Sequence, residues 1–126
     1  MSVAFDPTEQ IIAVNAELAG PSASARLRLA LDTGSSNTLI SSSRLIEVGV
    51  DLADGVAVSI VTPSGAQPAA FIDVFRLTSL GRTRVPFRVV AHEMPRDSAI
   101  DGLRGLDFLR GDRLTIDFRA ATVELA

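Results

Sequence analysis

Apolar and polar residues alternate along most of this chain with the period of two that is typical of β-strands. The clearest case is the segment from Ala25 to Asp32, in which Leu27, Leu29 and Leu31 fall on one face. The run from Ile11 to Leu18 alternates in part, and the turn signal AGPSAS separates the two segments. Together they predict a β-hairpin.

The same pattern predicts further short strands. We expect a short strand at NTLIS, a longer hairpin formed by Val56–Val61 and Ala69–Leu77 around the turn TPSGAQP, a strand at Val85–Ala91, and a last hairpin formed by RLTIDF and ATVEL. Turn signals recur every ~8–12 residues, a spacing typical of compact β-barrels and β-sandwiches. The pattern therefore predicts seven or eight short strands in one small β domain.

Two segments have helical rather than strand-like spacing. SSRLIEVG predicts one helical turn with a serine cap, and GLDFLRG, from Gly105 to Gly111, predicts a short helix that Gly111 closes at its C-terminal end. The expected fold class is therefore mostly β, with one or two short helices.

Composition limits the domain count and the chemistry. The chain has 126 residues, of which 47% are hydrophobic and 21% charged, so we expect a single domain over residues 1–126. It has no cysteine, no lysine and one histidine, His92, which excludes thiolate metal sites, thiol catalysis and the P-loop motif. We expect no metal and no cofactor.

Charge and hydropathy limit the partners. The net charge of −3 argues against nucleic acid as a partner. Residues 1–10 contain no apolar signal-type run, and no apolar stretch reaches the ~18 residues of a membrane span. We therefore expect a soluble, cytoplasmic protein with no membrane partner.

The candidate chemistry lies in LALDTGSSNTLIS, where Asp32 ends an apolar strand and a polar turn follows. Asp32 is either the residue that caps this turn or a catalytic acid held by hydrogen-bond donors. Ser35 and Ser36 with His92 would suggest a serine hydrolase, but the chain has no G-x-S-x-G elbow.

Other residue groups favour ordinary structural roles. Four aspartates lack the order of a calcium-binding loop, and solvated or capping roles fit them better: Asp101, Asp107, Asp112 and Asp117. Five phenylalanines lie inside predicted elements and are expected in the core: Phe71, Phe75, Phe87, Phe108 and Phe118. The arginines are scattered singly, as on a solvated face. His92 is expected in an exposed loop beside Glu93.

Three stretches occur in a familiar order: LALDTGSSNTLIS, VSIVTPSGAQPAAFIDV and IDGLRGLDFL, followed by the closing LTIDFRAATVEL. In this order they resemble the retropepsin-like aspartic proteases, the single-domain relatives of pepsin, and in the closing segment their bacterial members. The resemblance covers nearly the whole chain. It implies an acid-protease-like closed β-barrel or sandwich with one lobe per chain.

The resemblance also implies a function and a site. The chain would be an aspartic endopeptidase that hydrolyses extended polypeptides, and a homodimer would bring Asp32 of each subunit to a shared water. Thr33 would bond across the dimer axis, Gly34 would let the backbone approach, and Ser35 would donate to the outer carboxylate oxygen. The flap from Val61 to Gln67 would close over the substrate.

The residues implied to bind substrate come from this flap and from the cleft. They are Val61, Thr62, Pro63, Ser64, Gly65, Leu103 and Gly105. We expect Ile60, Leu103 and Leu106 to line the cleft, which suggests apolar side chains beside the scissile bond.

Two departures from the family pattern leave an alternative open. Arg104 stands where the family has an apolar residue before Gly105, and the chain has no tyrosine for the flap. The alternative is a catalytically inactive dimerisation or peptide-binding module with the same fold, in which a guanidinium beside Asp32 keeps both carboxylates ionised. If Arg104 points outward, the enzyme is favoured, and if it points toward Asp32, the module is favoured.

Overall fold

The computed structural model describes residues 1–95 and 97–126. Twelve β-strands lie in these residues, most of them in segments that alternate in sequence. Their bounds are β1 Ser2–Ala4, β2 Ala13–Ala19, β3 Ser24–Leu31, β4 Leu39–Ser41, β5 Val56–Thr62, β6 Gly65–Val74, β7 Arg76–Ser79, β8 Arg82–Arg84, β9 Phe87–His92, β10 Gly102–Arg104, β11 Leu114–Asp117 and β12 Thr122–Leu125. Two short α-helices, α1 Ser42–Glu47 and α2 Leu106–Leu109, complete a mostly β domain with one lobe.

The strands form two sheets. Nine strands make the large sheet, in the order β5-β6-β9-β4-β10-β3-β2-β7-β8, and the other three make a small sheet in the order β1-β12-β11. The pairings β3–β10 and β4–β9 are parallel, and the other pairings are antiparallel. The order of the large sheet ends at β5 and β8, so no pairing between described strands closes it into the expected barrel.

The predicted hairpins are confirmed. β2 and β3 pair with Ala16 opposite Leu27, and the side chains of Leu27 and Leu29 are almost completely buried. Alternation puts these leucines on the inner face, where burial of each contributes about 2 kcal/mol of hydrophobic free energy. The inner faces of β2, β3, β6, β7 and β9 supply most of one core cluster.

The strand prediction is wrong in detail at three places. The described residues form twelve strands rather than seven or eight, and the strands β1, β8 and β10, of three residues each, were not expected. The segment 69–77 is broken at Phe75, so β6 and β7 are separate strands. The turn TPSGAQP shrinks to Pro63 and Ser64, since Thr62 already pairs with Gly65.

The helix predictions hold in position but not in every detail. α2 ends before Gly111, which has φ +90°, as expected for a glycine that follows a helix. α1 follows Ser41 as its N-terminal cap, but the Ser41 side chain makes no capping hydrogen bond. Its hydroxyl lies 3.0 Å from that of Ser43 and bonds to Glu93 instead.

Two expectations about burial are wrong. Phe75 and Phe118 are 60% and 73% exposed, because each lies in a connection beside a strand rather than within it. Arg104, in contrast, is completely buried and does not belong to a solvated face. None of the helices formed by the described residues is long and apolar enough to cross a membrane.

Candidate active site

Strand β10 determines where the Asp32 loop lies. It inserts between β3 and β4, so the loop from residue 32 to 38 has to bridge the width of one strand. A Cβ on Gly102 would overlap the carbonyl oxygen of Leu39 in the neighbouring strand β4. Glycine therefore lets β10 fit between β3 and β4, and so separates Asp32, at the end of β3, from β4 by the width of one strand.

The backbone around Asp32 is fixed from two sides. Its N–H donates to the carbonyl oxygen of Arg104 at 3.0 Å, which extends the β3–β10 pairing by one bond. Its own carbonyl oxygen accepts from the N–H of Ser35 at 3.2 Å, which closes a turn. The carboxylate is half-buried at the mouth of this turn.

Gly34 and Ser35 differ in how far they match the expectation. The Gly34 N–H donates to Oδ1 of Asp32 at 2.9 Å, and a Cβ on Gly34 would lie only 3.2 Å from that oxygen. A glycine therefore permits the close approach. The Ser35 hydroxyl, however, donates to the carbonyl oxygen of Asn37 at 2.7 Å rather than to Asp32. Thr33 is exposed, and its bond across a dimer axis stays a prediction.

A threonine and an aspartate that the sequence did not single out as a pair hold the far end of the loop. The carboxylate of Asp107 accepts from the N–H of Thr38 at 3.0 Å and from its hydroxyl at 2.7 Å. That hydroxyl in turn accepts from the N–H of Gly105 at 3.1 Å. The two residues are 69 positions apart, so no local spacing could have pointed to the pair.

The loop and α2 also satisfy each other's backbone groups. The N–H groups of Leu106 and Asp107 donate to the carbonyl oxygens of Ser35 and Ser36. A Cβ on Gly105 would collide with the backbone of Asn37, so the helix packs directly against the loop. Gly105 therefore supports the loop from behind.

The predicted flap is a hairpin of β5 and β6. Its two-residue turn is held by Thr62, whose hydroxyl accepts from the N–H of Ser64 and donates to the carbonyl oxygen of Gly65. Gly65 has φ +105°, a conformation that favours glycine. The neighbouring Val61 is 92% exposed and so presents an apolar side chain at the tip.

Asp32 and the flap face each other across a cleft of about 530 Å³. Its lining includes Asp32, Gly34 and Ser35 from the loop, Val61, Thr62 and Pro63 from the flap, and the apolar side chains of Leu39, Ile60, Val90 and Leu103. Ser64 and Gly65 at the tip do not line it in this single chain. Leu106 does not line it either, because its helix lies behind the loop.

A larger groove of about 700 Å³ lies elsewhere, between Pro21, Val50 and Phe75. It shares no lining residue with the cleft, and its charged groups are the surface carboxylates Asp51, Asp54 and Asp73. The cleft combines a held carboxylate with apolar walls and is therefore the better candidate for a catalytic site.

The Arg104 side chain does not approach Asp32. It points neither to solvent nor into the cleft, but into the core, where Nη2 donates to the Ser79 hydroxyl and the guanidinium carbon lies 5.7 Å from the centre of the Phe108 ring. Burial lowers the pKa of Arg104 to about 10. No ion pair joins it to a carboxylate of the described residues, so the contact required by the inactive-module alternative is missing.

The remaining sequence candidates have structural partners. His92 is at the end of β9 rather than in a loop, and its Nδ1 lies 3.2 Å from the carbonyl oxygen of Pro68. Asp101 accepts from the backbone of Arg28, Asp112 pairs with Arg84, and Asp117 accepts from the turn before β12.

Comparison with known proteins agrees with this geometry. The sequence matches the aspartyl protease family over residues 14–108. This chain belongs to the aspartyl protease family. A sequence search among curated proteins found no match.

Solved structures of aspartyl proteases share the fold. A retropepsin-like aspartic protease from Rickettsia conorii superposes with a TM-score of 0.70 at 20% identity, over 99% of this chain and 88% of that one. EIAV protease, solved with an inhibitor, has a TM-score of 0.65 at 16% identity, over 86% of this chain and 92% of that one. The retroviral protease-like domain of Ddi1 from Leishmania major has a TM-score of 0.58 at 18% identity, over 94% of this chain and 96% of that one. The fold of this family member is therefore retropepsin-like.

Proposed function

We propose that this protein is an aspartic endopeptidase that hydrolyses extended polypeptides as a homodimer. The observation that carries the proposal is Asp32, held by Gly34 and by the Arg104 carbonyl at the mouth of an apolar cleft under the flap. One chain supplies one such carboxylate. A second copy related by a two-fold axis supplies the other.

The chemistry needs both carboxylates. Two carboxylates that share a site cannot both ionise easily, so one holds a proton and the other is charged; aspartic proteases are the established example. The ionised Asp32 takes a proton from the bound water, whose oxygen attacks the peptide carbonyl. The protonated Asp32 of the other copy donates to the carbonyl oxygen, which gives a tetrahedral intermediate. The intermediate collapses when the first Asp32 passes the proton taken from water to the leaving nitrogen and a hydroxyl proton of the intermediate returns to the other Asp32.

The loop residues have supporting roles in this proposal. Gly34 holds one oxygen of the Asp32 carboxylate, Thr33 is exposed where a partner loop would meet it, and Ser35 stiffens the turn through the Asn37 carbonyl. Thr38 and Asp107 fix the loop to α2. The reacting carboxylate is thereby held in place before substrate binds.

The proposed substrate is an unfolded segment with apolar side chains beside the cleaved bond. The flap hairpin offers backbone groups to an extended peptide, which would add to it as a strand. Leu39, Ile60, Val90 and Leu103 give the cleft apolar walls. Flap residues Val61 to Gly65 would close over the peptide and exclude water.

The test is cleavage of oxidised insulin B chain, an extended peptide, from about pH 3 to 7 at several protein concentrations. We expect activity per subunit to rise with concentration, because half a site hydrolyses nothing. Asp32→Asn should lower the rate at least about a thousandfold. Asp54→Asn is the matched control, since Asp54 is an exposed carboxylate outside the cleft, and it should retain full activity.

The proposal fails if the folded, dimeric wild type cleaves nothing at any pH, or if Asp32→Asn cleaves as fast as the wild type. The first result would favour a dimerisation or peptide-binding module with the same fold. The second would place the activity in a contaminant or at another site.

A further inference from the structure

Arg104 is the largest side chain that the core buries completely. Its guanidinium has one protein partner, the Ser79 hydroxyl, while Nε and Nη1 have none among residues 1–95 and 97–126. A cation taken out of water without a counter-ion costs several kcal/mol. The fold therefore keeps a group that opposes its own stability.

Arg84 provides an internal comparison. Both guanidinium groups lie against the ring of Phe108, with carbon-to-centre distances of 4.9 Å for Arg84 and 5.7 Å for Arg104. Arg84, however, is paired with Asp112 at 3.0 Å, and this hydrogen bond lowers the pKa of Asp112. The charge of Arg84 is compensated, whereas that of Arg104 is not.

An apolar residue would fit the Arg104 position at least as well. Methionine has a similar length, and its sulfur would lie well against the Phe108 ring. The Ser79 hydroxyl already donates to the carbonyl oxygen of Asn15 at 2.8 Å. That hydrogen bond remains when Arg104 is replaced. Packing and hydrogen bonding therefore do not explain an arginine here.

The position of Arg104 relative to Asp32 suggests the reason. The Arg104 carbonyl accepts the Asp32 N–H, and Arg104 is opposite Leu31 in the register of β10 and β3. The Arg104 backbone thus lies beside the strand end that carries the carboxylate, and its side chain runs from there into the core toward Ser79 and Phe108. In the interior, the field of an uncompensated charge is much less screened than at the surface.

Among residues 1–95 and 97–126, the charged groups around Phe108 other than Arg104 are paired or hydrogen-bonded. Across the Phe108 ring, Arg84 and Arg82 both pair with Asp112. On α2, the carboxylate of Asp107 is bonded by Thr38 and by the N–H of Phe108. Burial leaves Arg104 with a pKa of about 10, so it is charged throughout the acid and neutral range.

We propose that Arg104 is an electrostatic positioning residue, whose unpaired charge favours the ionised state of the paired Asp32 carboxylates and so extends activity to lower pH. The inference rests on the proposed peptidase function. It assigns to the arginine the opposite effect from inactivation, because the field of a charge in the core lowers the cost of one negative charge at the site without forcing a second ionisation.

The experiment compares the pH–rate profiles of the wild type, Arg104→Met and Arg104→Lys, with Arg84→Met as the matched control. The acid side of the Arg104→Met profile should move to higher pH by about one unit. Arg104→Lys keeps a charge and should stay near the wild type, and Arg84→Met should not move. The midpoint of thermal unfolding of Arg104→Met should lie about 4 °C or more above that of the wild type.

The inference is overturned if the wild type is active and the acid side of the pH–rate profile is the same in folded Arg104→Met. That result leaves the proposed function intact. Arg104→Gln serves as a second neutral variant. If both neutral variants are less stable than the wild type or fail to fold, Arg104 is a structural residue and the inference is also overturned. An inactive wild type removes the proposed function itself, which is seen before any variant is made.

Discussion

The link between Thr38 and Asp107 has the tightest hydrogen-bond requirements in the candidate site. One carboxylate accepts from the Thr38 N–H, the Thr38 hydroxyl and the Phe108 N–H. All three donors point at oxygens, so a carboxylate fits here and an amide does not. The link joins the end of the Asp32 loop to the helix behind it.

Asp107→Asn should therefore destabilise the protein although it changes one atom. In either orientation, the amide NH2 would face an N–H donor, that of Thr38 or that of Phe108. We expect a loss of about 1–3 kcal/mol in the free energy of unfolding, measured by urea denaturation. Thr38→Ser keeps the hydroxyl and should lose about 1 kcal/mol or less. An Asp107→Asn variant as stable as the wild type would contradict the assigned bonds.

At the scale of elements, strand β10 and the flap use glycine for different reasons. Gly102 lies where β10 passes the Leu39 carbonyl, with no room for a Cβ. Gly65 has open space around it but a φ of +105°. The first glycine is required by packing and the second by backbone conformation.

Gly102→Ala and Gly65→Ala test this difference as a pair. Gly102→Ala should separate β10 from β4 and cost more than about 3 kcal/mol, so we expect little soluble protein. Gly65→Ala should cost about 1 kcal/mol of strain, confined to the flap, and leave a folded protein. Soluble yield and the urea midpoint measure both effects. Similar values for the two variants would show that β10 tolerates a wider gap.

The sequence predicted strands that lie in apolar or alternating runs, including β4 and β9, which pair with each other at long range, but not β8, which pairs with its chain neighbour β7. The β2–β3 and β11–β12 hairpins follow from alternation and local turn signals. It missed β10, whose three residues include a glycine and an arginine and whose partners are more than 60 positions away. The candidate site, too, was predictable only where a local pattern marks it. Asp32 was found from a local motif, whereas Thr38 with Asp107 and the burial of Arg104 depend on long-range packing.

At the scale of the whole molecule, composition allows the titration of Arg104 to be observed separately from that of other side chains. The chain has no lysine, tyrosine or cysteine, so no common side chain titrates between the N-terminal amine and the arginines. Among the arginines, burial lowers the pKa of Arg104 from its usual value to about 10. Alkaline titration therefore isolates this residue.

The folded protein should become more stable as the pH rises above about 10. Folding lowers the pKa of Arg104 to about 10, so above that pH the unfolded chain binds more protons than the folded one, and the free energy of unfolding increases with pH. The slope approaches ~1.4 kcal/mol per pH unit. Thermal unfolding from about pH 9 to 11.5 should shift upward by several degrees. Arg104→Met lacks the proton and should give a flat profile, and a wild-type profile that is flat or falling would mean that Arg104 stays charged at no cost to the fold.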